Sequence, residues 1–316
     1  MSNALHVVFG TGQIGTRIAQ RLVARGERVR IVSRSAKPQP GVEAVAGDAR
    51  DTAFAIEAAR GAGVVYDTLN PLYPDWKRDL VALGRGPLAA ATAHEAKLVA
   101  LDCLYMYGAP TGPMTETSPV APVSKKGALR AELAAMRLAA LANGTQVAIA
   151  RASDFFGPAL PNSWFGTRFF ERALAGKTAE LLGDPEQLHS YTYAEDVASA
   201  MLELAGAADA TGVWHVPTLP AITSRELATR IGDALGRPVA IKRMPRLLVR
   251  ALGVVMPLMR ELPEMAYQWE MPFVLDDSKF RARFGTAPTP LADQIATTVA
   301  WARRTYDKTN LVHAAA

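Results

Sequence analysis

Leu5-His6-Val7-Val8-Phe9-Gly10-Thr11-Gly12-Gln13-Ile14-Gly15 is the stretch on which the reading of this chain turns. An apolar β-type run, Leu5 to Phe9, enters a glycine triplet. A helical pattern follows, with Ile14, Ile18, Leu22 and Val23 on one face. The spacing Gly10-x-Gly12-x-x-Gly15 gives each glycine a task. Gly10 turns the chain out of the strand, Gly12 lets backbone approach a pyrophosphate, and Gly15 lets helix pack close to strand. The first helical turn, with Gln13 and Ile14, then offers free N–H groups and a positive dipole end to the phosphates. The alternative is a glycine-rich turn with no ligand; the order strand, turn, helix favours the dinucleotide site.

The second expected strand, Arg28 to Arg34, ends in Ser33-Arg34-Ser35, with Lys37 close behind and no carboxylate. An NAD site usually carries an acidic residue here, bonded to the ribose 2′-hydroxyl. A guanidinium is instead the partner of a 2′-phosphate, through charge-assisted and bidentate hydrogen bonds. The pattern therefore predicts NADP, held at Ser33 and Arg34. Arg17, one turn into the first helix, either assists there or is a solvated surface charge.

A length of 316 residues suits one large α/β unit or two closely joined domains, and 49% apolar content is ample for a core. The single cysteine, Cys103, excludes an internal disulfide framework and favours a reducing compartment. No charged-then-apolar leader precedes the first strand. The greasiest stretch, Leu247 to Met259, contains Arg250 and Pro257 and is too short to span a bilayer. A net charge of +5, spread along the chain without a basic run interleaved with aromatics, gives nucleic-acid binding little support. The expectation is a cytoplasmic protein that works on a small molecule, without membrane, nucleic acid or metal. A homodimer is compatible with it.

Strand and helix signals alternate through the first half, which predicts a doubly wound parallel α/β sheet. Val42–Ala46, Gly63–Asp67, Lys97–Asp102, Gln146–Ala150 and Gly212–Val216 read as further strands, and Pro87–Ala96, Ala128–Ala142 and Ala194–Leu204 as helices. After Asp154 the rhythm shortens, punctuated by Pro158, Pro161, Gly166, Gly176, Gly183 and Pro185, and the C-terminal third is mainly helical.

Motifs fall along this order. Gly47-Asp48-Ala49-Arg50-Asp51 follows the third strand, and Met106-Tyr107-Gly108 precedes Thr115-Glu116 and Pro119. Arg151 to Pro158, Ala175-Gly176-Lys177, Gly183-Asp184, Tyr193 to Ala198, and Asp276 to Lys279 with Phe284-Gly285 come after. With the glycine turn, they resemble the extended and atypical short-chain dehydrogenase/reductase superfamily, in its NAD(P)-dependent epimerase/dehydratase-like branch, over nearly the whole chain. The resemblance implies a Rossmann domain of residues 1–155 plus about 190–217, with a smaller, mostly helical substrate-covering subdomain of about 156–189 plus 218–316. It also implies a nicotinamide cofactor whose adenine end meets Asp48 and Ala49.

The resemblance fails at the catalytic centre. The family places Ser or Thr four residues before the tyrosine of V-Y-G, where this chain has Cys103. The family's Tyr-x-x-x-Lys pair falls on Lys126 and Arg130, and no tyrosine lies between Tyr107 and Tyr191 to restore the acid. Arg130 is suited to holding the cofactor ribose but does not shuttle protons near neutrality. Lys126 shares its helix face and is either an acid, a base if its pKa is lowered, or a surface lysine. Cys103 is either a thiol facing substrate or a small apolar residue at a strand end. Tyr105 and Tyr107, at the carboxyl edge where ligands sit, are further candidates, with Tyr191, Tyr193, Asp102, Asp67 and Asn70. Each of these has a core, cap or turn alternative. Lys126, Tyr105 and Cys103 are the expected catalytic groups.

Trp164, Phe165 and Phe169, with Met244, Met256, Met259, Met265, Trp269 and Met271, imply a partly apolar substrate if they line the crevice. Otherwise they form a helix-packing core. Arg260 and Glu261 read as an ion pair. The leading expectation is an NADP-dependent oxidoreductase acting on a carbonyl or enone of a small, partly apolar molecule. A nucleotide-sugar epimerase or dehydratase is the alternative, disfavoured by the missing Tyr-x-x-x-Lys pair. A catalytically silent NADP(H)-binding sensor or scaffold is the other.

Overall fold

Successive side chains of a strand point to opposite faces, so one sheet can carry two cores. The computed structural model describes residues 4–306; the alanine run 314–316 lies outside them. Strand and helix alternate through β1 (Leu5–Phe9), α1 (Gln13–Ala24), β2 (Arg28–Ser33), β3 (Val42–Ala46), α2 (Thr52–Ala58), β4 (Ala62–Asp67), α3 (Trp76–Ala93), β5 (Lys97–Asp102), α4 (Lys125–Ala142) and β6 (Val147–Arg151). Then follow β7 (Asp154–Phe156), α5 (Thr167–Leu174), β8 (Ala179–Leu181), β9 (Leu188–His189), β10 (Tyr191–Tyr193), α6 (Ala194–Gly206) and β11 (Gly212–His215). The chain continues with β12 (Ile222–Thr223), α7 (Ser224–Leu235), β13 (Ile241–Arg243), α8 (Arg246–Val255), α9 (Pro257–Glu261), α10 (Ser278–Phe284) and α11 (Leu291–Tyr306). Short 3-10 segments cover Tyr73–Asp75, Tyr105–Tyr107 and Pro263–Trp269.

Seven parallel strands form the main sheet in the order β11-β6-β5-β4-β1-β2-β3. Val8, Val99, Ala148 and Ala150 face the core under α1 and α6, while Val7, Phe9, Val65, Leu98 and Ile149 face the one under α2, α3 and α4. Both faces are covered, as a parallel sheet requires. Chain order reverses between β1 and β4, and such a switch point opens a crevice at the carboxyl ends. A third core joins α5, α7 and α11 through Phe165, Phe169, Phe170, Leu227, Ile231, Ile295 and Val299.

The expected strands stand within a residue or two of their predicted bounds. The helix expected to start at Pro87 begins at Trp76 instead and carries the proline in its interior. Trp76, Leu80, Gly84, Pro87, Leu88 and Ala91 are all buried, a helical spacing that runs straight across Pro87. Burial of that face outweighs the hydrogen bond the proline cannot donate. The next helix starts at Lys125 rather than Ala128, because Ser124 caps it by accepting from the Gly127 N–H at 3.0 Å. Lys126 is thereby held in the first turn. No helix among the described residues is long and apolar enough to cross a membrane.

Candidate active site

At the β1 end of the crevice, backbone shapes the space. Gly10 has a φ of +107°, and its N–H donates to Val32 at 2.9 Å, tying the turn to β2. A Cβ on Gly15 would stand 2.1 Å from the Gly10 carbonyl oxygen, so helix and turn touch without any side chain between them. A Cβ on Gly12 would meet nothing within 4 Å. Gly12 also stands at the N-cap of α1 with no side chain capping the first turn. The N–H groups of Gln13 and Ile14 therefore flank open space at the positive end of a helix, which fits a pyrophosphate.

The end of β2 completes this half. Ser33 accepts a hydrogen bond from the Thr11 hydroxyl at 3.3 Å, linking strand end to glycine turn. Arg34 is exposed and makes no hydrogen bond or ion pair among the described residues. Asp48 feels its charge but is held by Arg50, whose bonds draw the Asp48 carboxyl below its usual range. Arg50 also reaches Asp79 at 2.9 Å, and Arg78 with it holds the Asp79 carboxyl down at about 2. Ala49, beside Asp48, is buried. Arg17 is neither a phosphate ligand nor a solvated charge. Its guanidinium is buried and bonds Glu195 at 2.6 Å, the Gln13 carbonyl and the Pro158 carbonyl, clamping α1 to α6.

Beyond β4 the crevice is walled by side chains. Lys126 is buried, and its ammonium bonds Glu261 and, at 2.8 Å, Glu264. Glu264 also accepts the Lys125 N–H at 3.0 Å, so the acidic pair sits at the positive end of α4. The surface-lysine alternative is thus excluded, and Arg260 is not Glu261's partner; its Nε reaches the Gly253 carbonyl at 3.4 Å. Arg130 is buried, donates to Asn70 at 2.8 Å and to Asp102 at 3.3 Å, and lies 4.4 Å over the Trp76 ring. Its Nε has no partner among the described residues.

Cys103 is half-buried at the carboxyl end of β5, and desolvation pushes its thiol up to about 12, so it is a neutral thiol at physiological pH. The Tyr105 hydroxyl meets that of Tyr73 at 2.6 Å, and burial holds both well above the ordinary tyrosine value. When one hydroxyl donates to the other, the acceptor's own proton stays free for a third group. Tyr73 also carries the Lys126 ammonium 5.2 Å over its ring. Sequence reading passed over Tyr73 and Trp76. The available signal was two aromatics close behind Asn70-Pro71, on a loop at the carboxyl edge of the sheet.

The remaining candidates are committed elsewhere. Arg151 donates to the Tyr107 hydroxyl at 2.6 Å, and that hydroxyl meets His215 Nε2 at 2.8 Å. The Asp276 carbonyl, 2.9 Å from His215 Nδ1, can only accept, so Nδ1 carries the imidazole proton and Nε2 accepts from Tyr107. Asp67 pairs with the fully buried Arg137, and Asp102 lies between Arg130 and Arg151. The Tyr191 hydroxyl meets Ser224 at 2.6 Å, and Tyr193 is buried in the third core. Phe165, Phe169, Met244 and Met265 are likewise buried packing groups.

The model of the NAD dependent epimerase/dehydratase family matches residues 7–216, well over half of the chain. A dTDP-6-deoxy-L-talose 4-dehydrogenase (NAD(P)(+)) of Kitasatospora kifunensis is 29% identical over 260 residues, 76% of this chain and 81% of that relative. Among solved structures, MoeE5 in complex with UDP-glucose and NAD shares 21% identity at a TM-score of 0.78, covering 95% of this chain and 99% of that one. The UDP-glucuronic acid 4-epimerase of Bacillus cereus, in complex with UDP-glucuronic acid and NAD, shares 16% identity at 0.77, over 96% and 100%. Strand order, glycine turn and family match agree: the chain belongs to the NAD dependent epimerase/dehydratase family.

Proposed function

We propose that this chain is an NADP-dependent oxidoreductase of the atypical short-chain type, acting on a carbonyl or enone of a small, partly apolar molecule in the cytoplasm. The observation that carries the cofactor choice is Arg34, exposed and unpaired at the end of β2 beside Ser33, with no carboxylate in the position an NAD ribose would use. Gly10, Gly12, Gly15, Gln13 and Ile14 would hold the pyrophosphate, Ser33 and Arg34 the 2′-phosphate, Asp48 and Ala49 the adenine end, and Arg130 the nicotinamide ribose. When bound, the nicotinamide supplies hydride-transfer chemistry. The chain's own part is to seat the substrate oxygen among Cys103, Tyr105 and Lys126. Tyr105, bonded to Tyr73, and Lys126, whose ammonium is already shared by two carboxylates, bound that place.

A partly apolar substrate is supported by the crevice mouth. Leu72 and Leu258 are exposed where α9 packs against Tyr73–Asp75. The division proposed gives residues 1–155 plus about 190–217 to the cofactor and about 156–189 plus 218–316, of which 307–316 lie outside the described residues, to the substrate; the packing of α5, α7 and α11 into one core supports it. A sugar-nucleotide 4-dehydrogenase is the second reading, favoured by the activity of the Kitasatospora relative. Titration with NADPH and NADH, followed by nicotinamide fluorescence, tests the cofactor. A panel of ketones, enones and nucleotide sugars then tests the substrate. Preferred NADPH and oxidation by a simple ketone or enone support the first reading; oxidation only by a 4-keto nucleotide sugar supports the second. Binding without oxidation across the panel makes the chain a silent sensor.

A further inference from the structure

One hydroxyl in the crevice region is unaccounted for. Tyr267 lies on the 3-10 segment Pro263–Trp269, one turn beyond Glu264. Glu264 bonds both the Lys126 ammonium at 2.8 Å and the Lys125 N–H at 3.0 Å, so this segment is pinned to the first turn of α4. That turn is where relatives with the usual Tyr-x-x-x-Lys pair carry their tyrosine, and where this chain carries Lys126. The Tyr267 ring packs edge-on against Phe273, with centroids 6.2 Å apart. Its hydroxyl is shielded from solvent and has no partner in hydrogen-bonding geometry among the described residues. Buried hydroxyls are almost always bonded, so an orphan demands a reason. Burial raises its pKa first, and Cys103, Glu264 and Asp154 add to this, while a hydrogen-bonding pull from the Ser124 hydroxyl, which falls outside good bonding geometry, lowers it. Cys103, one of the groups acting on this hydroxyl, stands where the family's substrate-bonding Ser or Thr would be, and the tie of the segment to the first turn of α4 keeps the donor at that end of the crevice.

We infer, resting on the reading of the chain as a carbonyl-reducing enzyme, that Tyr267 is the catalytic proton donor, supplied by the C-terminal segment in place of the α4 tyrosine. The carbonyl carbon gains a hydride from the bound nicotinamide, which is oxidised, as the C=O π pair moves to oxygen. The Tyr267 O–H bond breaks to give that oxygen its proton, leaving a tyrosinate that takes a proton back from water as the alcohol departs. Lys126 is then a positioning residue: with Glu261 and Glu264 it fixes the Tyr267 segment on α4. The Tyr73–Tyr105 pair is a neighbouring hydrogen-bonded wall.

Tyr267→Phe removes the hydroxyl and keeps the ring against Phe273. Measured with a ketone that the wild type reduces, turnover should fall by roughly 100-fold or more, with NADPH affinity unchanged. A readout without turnover is calorimetric binding, in the presence of NADPH, of a secondary carboxamide matching that ketone in shape. Its carbonyl accepts the same hydrogen bond, and affinity should fall roughly tenfold in the variant. Wild-type turnover and wild-type amide affinity in Tyr267→Phe, with collapse in Tyr105→Phe, would overturn the assignment while leaving the enzyme reading intact. A wild-type protein that binds NADPH but reduces no member of the panel would overturn the enzyme reading and this inference with it.

Discussion

The two ends of the crevice are built from different materials. At the β1 end, geometry resides in backbone: Gly10 turns, Gly15 lets α1 touch the turn, and the space over Gly12 is open. At the β5 end it resides in long side chains drawn from four distant segments, with Lys126, Arg130, Asp102, Tyr105, Tyr73, Glu261 and Glu264 locked to one another. A backbone site tolerates few residues at few positions, so its spacing survives as a motif. A side-chain site can be rebuilt from elsewhere once its first residue changes. A familiar glycine turn beside an unfamiliar wall of side chains is the result.

The largest expected effect lies in the ionic layer under the β5 end. Arg137 is fully buried against Asp67, and its Nε and Nη1 have no partner among the described residues. Arg137→Met should destabilise the fold by about 3–5 kcal/mol in urea titrations near neutral pH, because it strands a carboxylate in the interior. A loss below about 1 kcal/mol would mean that this layer is not structural. The glycine turn offers the matching test. Gly15→Ala forces a methyl against the Gly10 carbonyl and should cost about 3 kcal/mol. Gly12→Ala meets no protein atom within 4 Å, so it should leave urea stability nearly unchanged and weaken only the dinucleotide. Equal destabilisation by both would erase the distinction between turn and ligand space.

The same contrast explains what was legible in the sequence. Strand positions and the cofactor turn were readable because period-two apolar runs and glycine spacing are local signals. Local rules failed at Pro87, where burial of Trp76, Leu80 and Gly84 extends the helix through a residue that usually starts one. They failed again at Arg17 and Lys126. For each a surface cation was one of the readings left open, and each is buried by partners far along the chain, Glu195 for one and Glu261 with Glu264 for the other. Tyr267 and Tyr73 carried no motif at all; only the fold brings their segments to the crevice.

Beyond the β5 end, where β6 and β11 finish, runs the chain Arg151, Tyr107, His215 and the Asp276 carbonyl, which gives the molecule an acid-sensitive joint. Desolvation lowers the His215 pKa to about 4, from an ordinary 6.5. Between those values the unfolded chain takes up a proton that the folded one refuses. Stability therefore falls as pH drops through this window, by up to about 3 kcal/mol for this residue alone, and its share levels off below it. His215→Gln keeps an acceptor for Tyr107 and removes the titration. Urea midpoints from pH 7 to pH 4 should fall less steeply in the variant; parallel curves would show that His215 is not the sensitive group.

The smallest effect is the one that most sharpens the cofactor end. Arg34 has no protein partner to lose, so Arg34→Ala should leave folding unchanged, within about 0.5 kcal/mol. Whatever it does must then appear in ligand binding. A guanidinium bonded to a 2′-phosphate contributes a charge-assisted pair, and its removal should weaken NADPH by roughly 10- to 100-fold. NADH has no phosphate there and should bind as before. The ratio of the two affinities, taken from fluorescence titrations at fixed ionic strength, separates recognition of the phosphate from general attraction by a basic surface. If both nucleotides weaken equally, Arg34 acts on the shared pyrophosphate or adenosine, and the cofactor choice rests with another residue. If neither changes, the open end of β2 is not where the ribose lies, and the backbone turn holds the dinucleotide without help from the strand beside it.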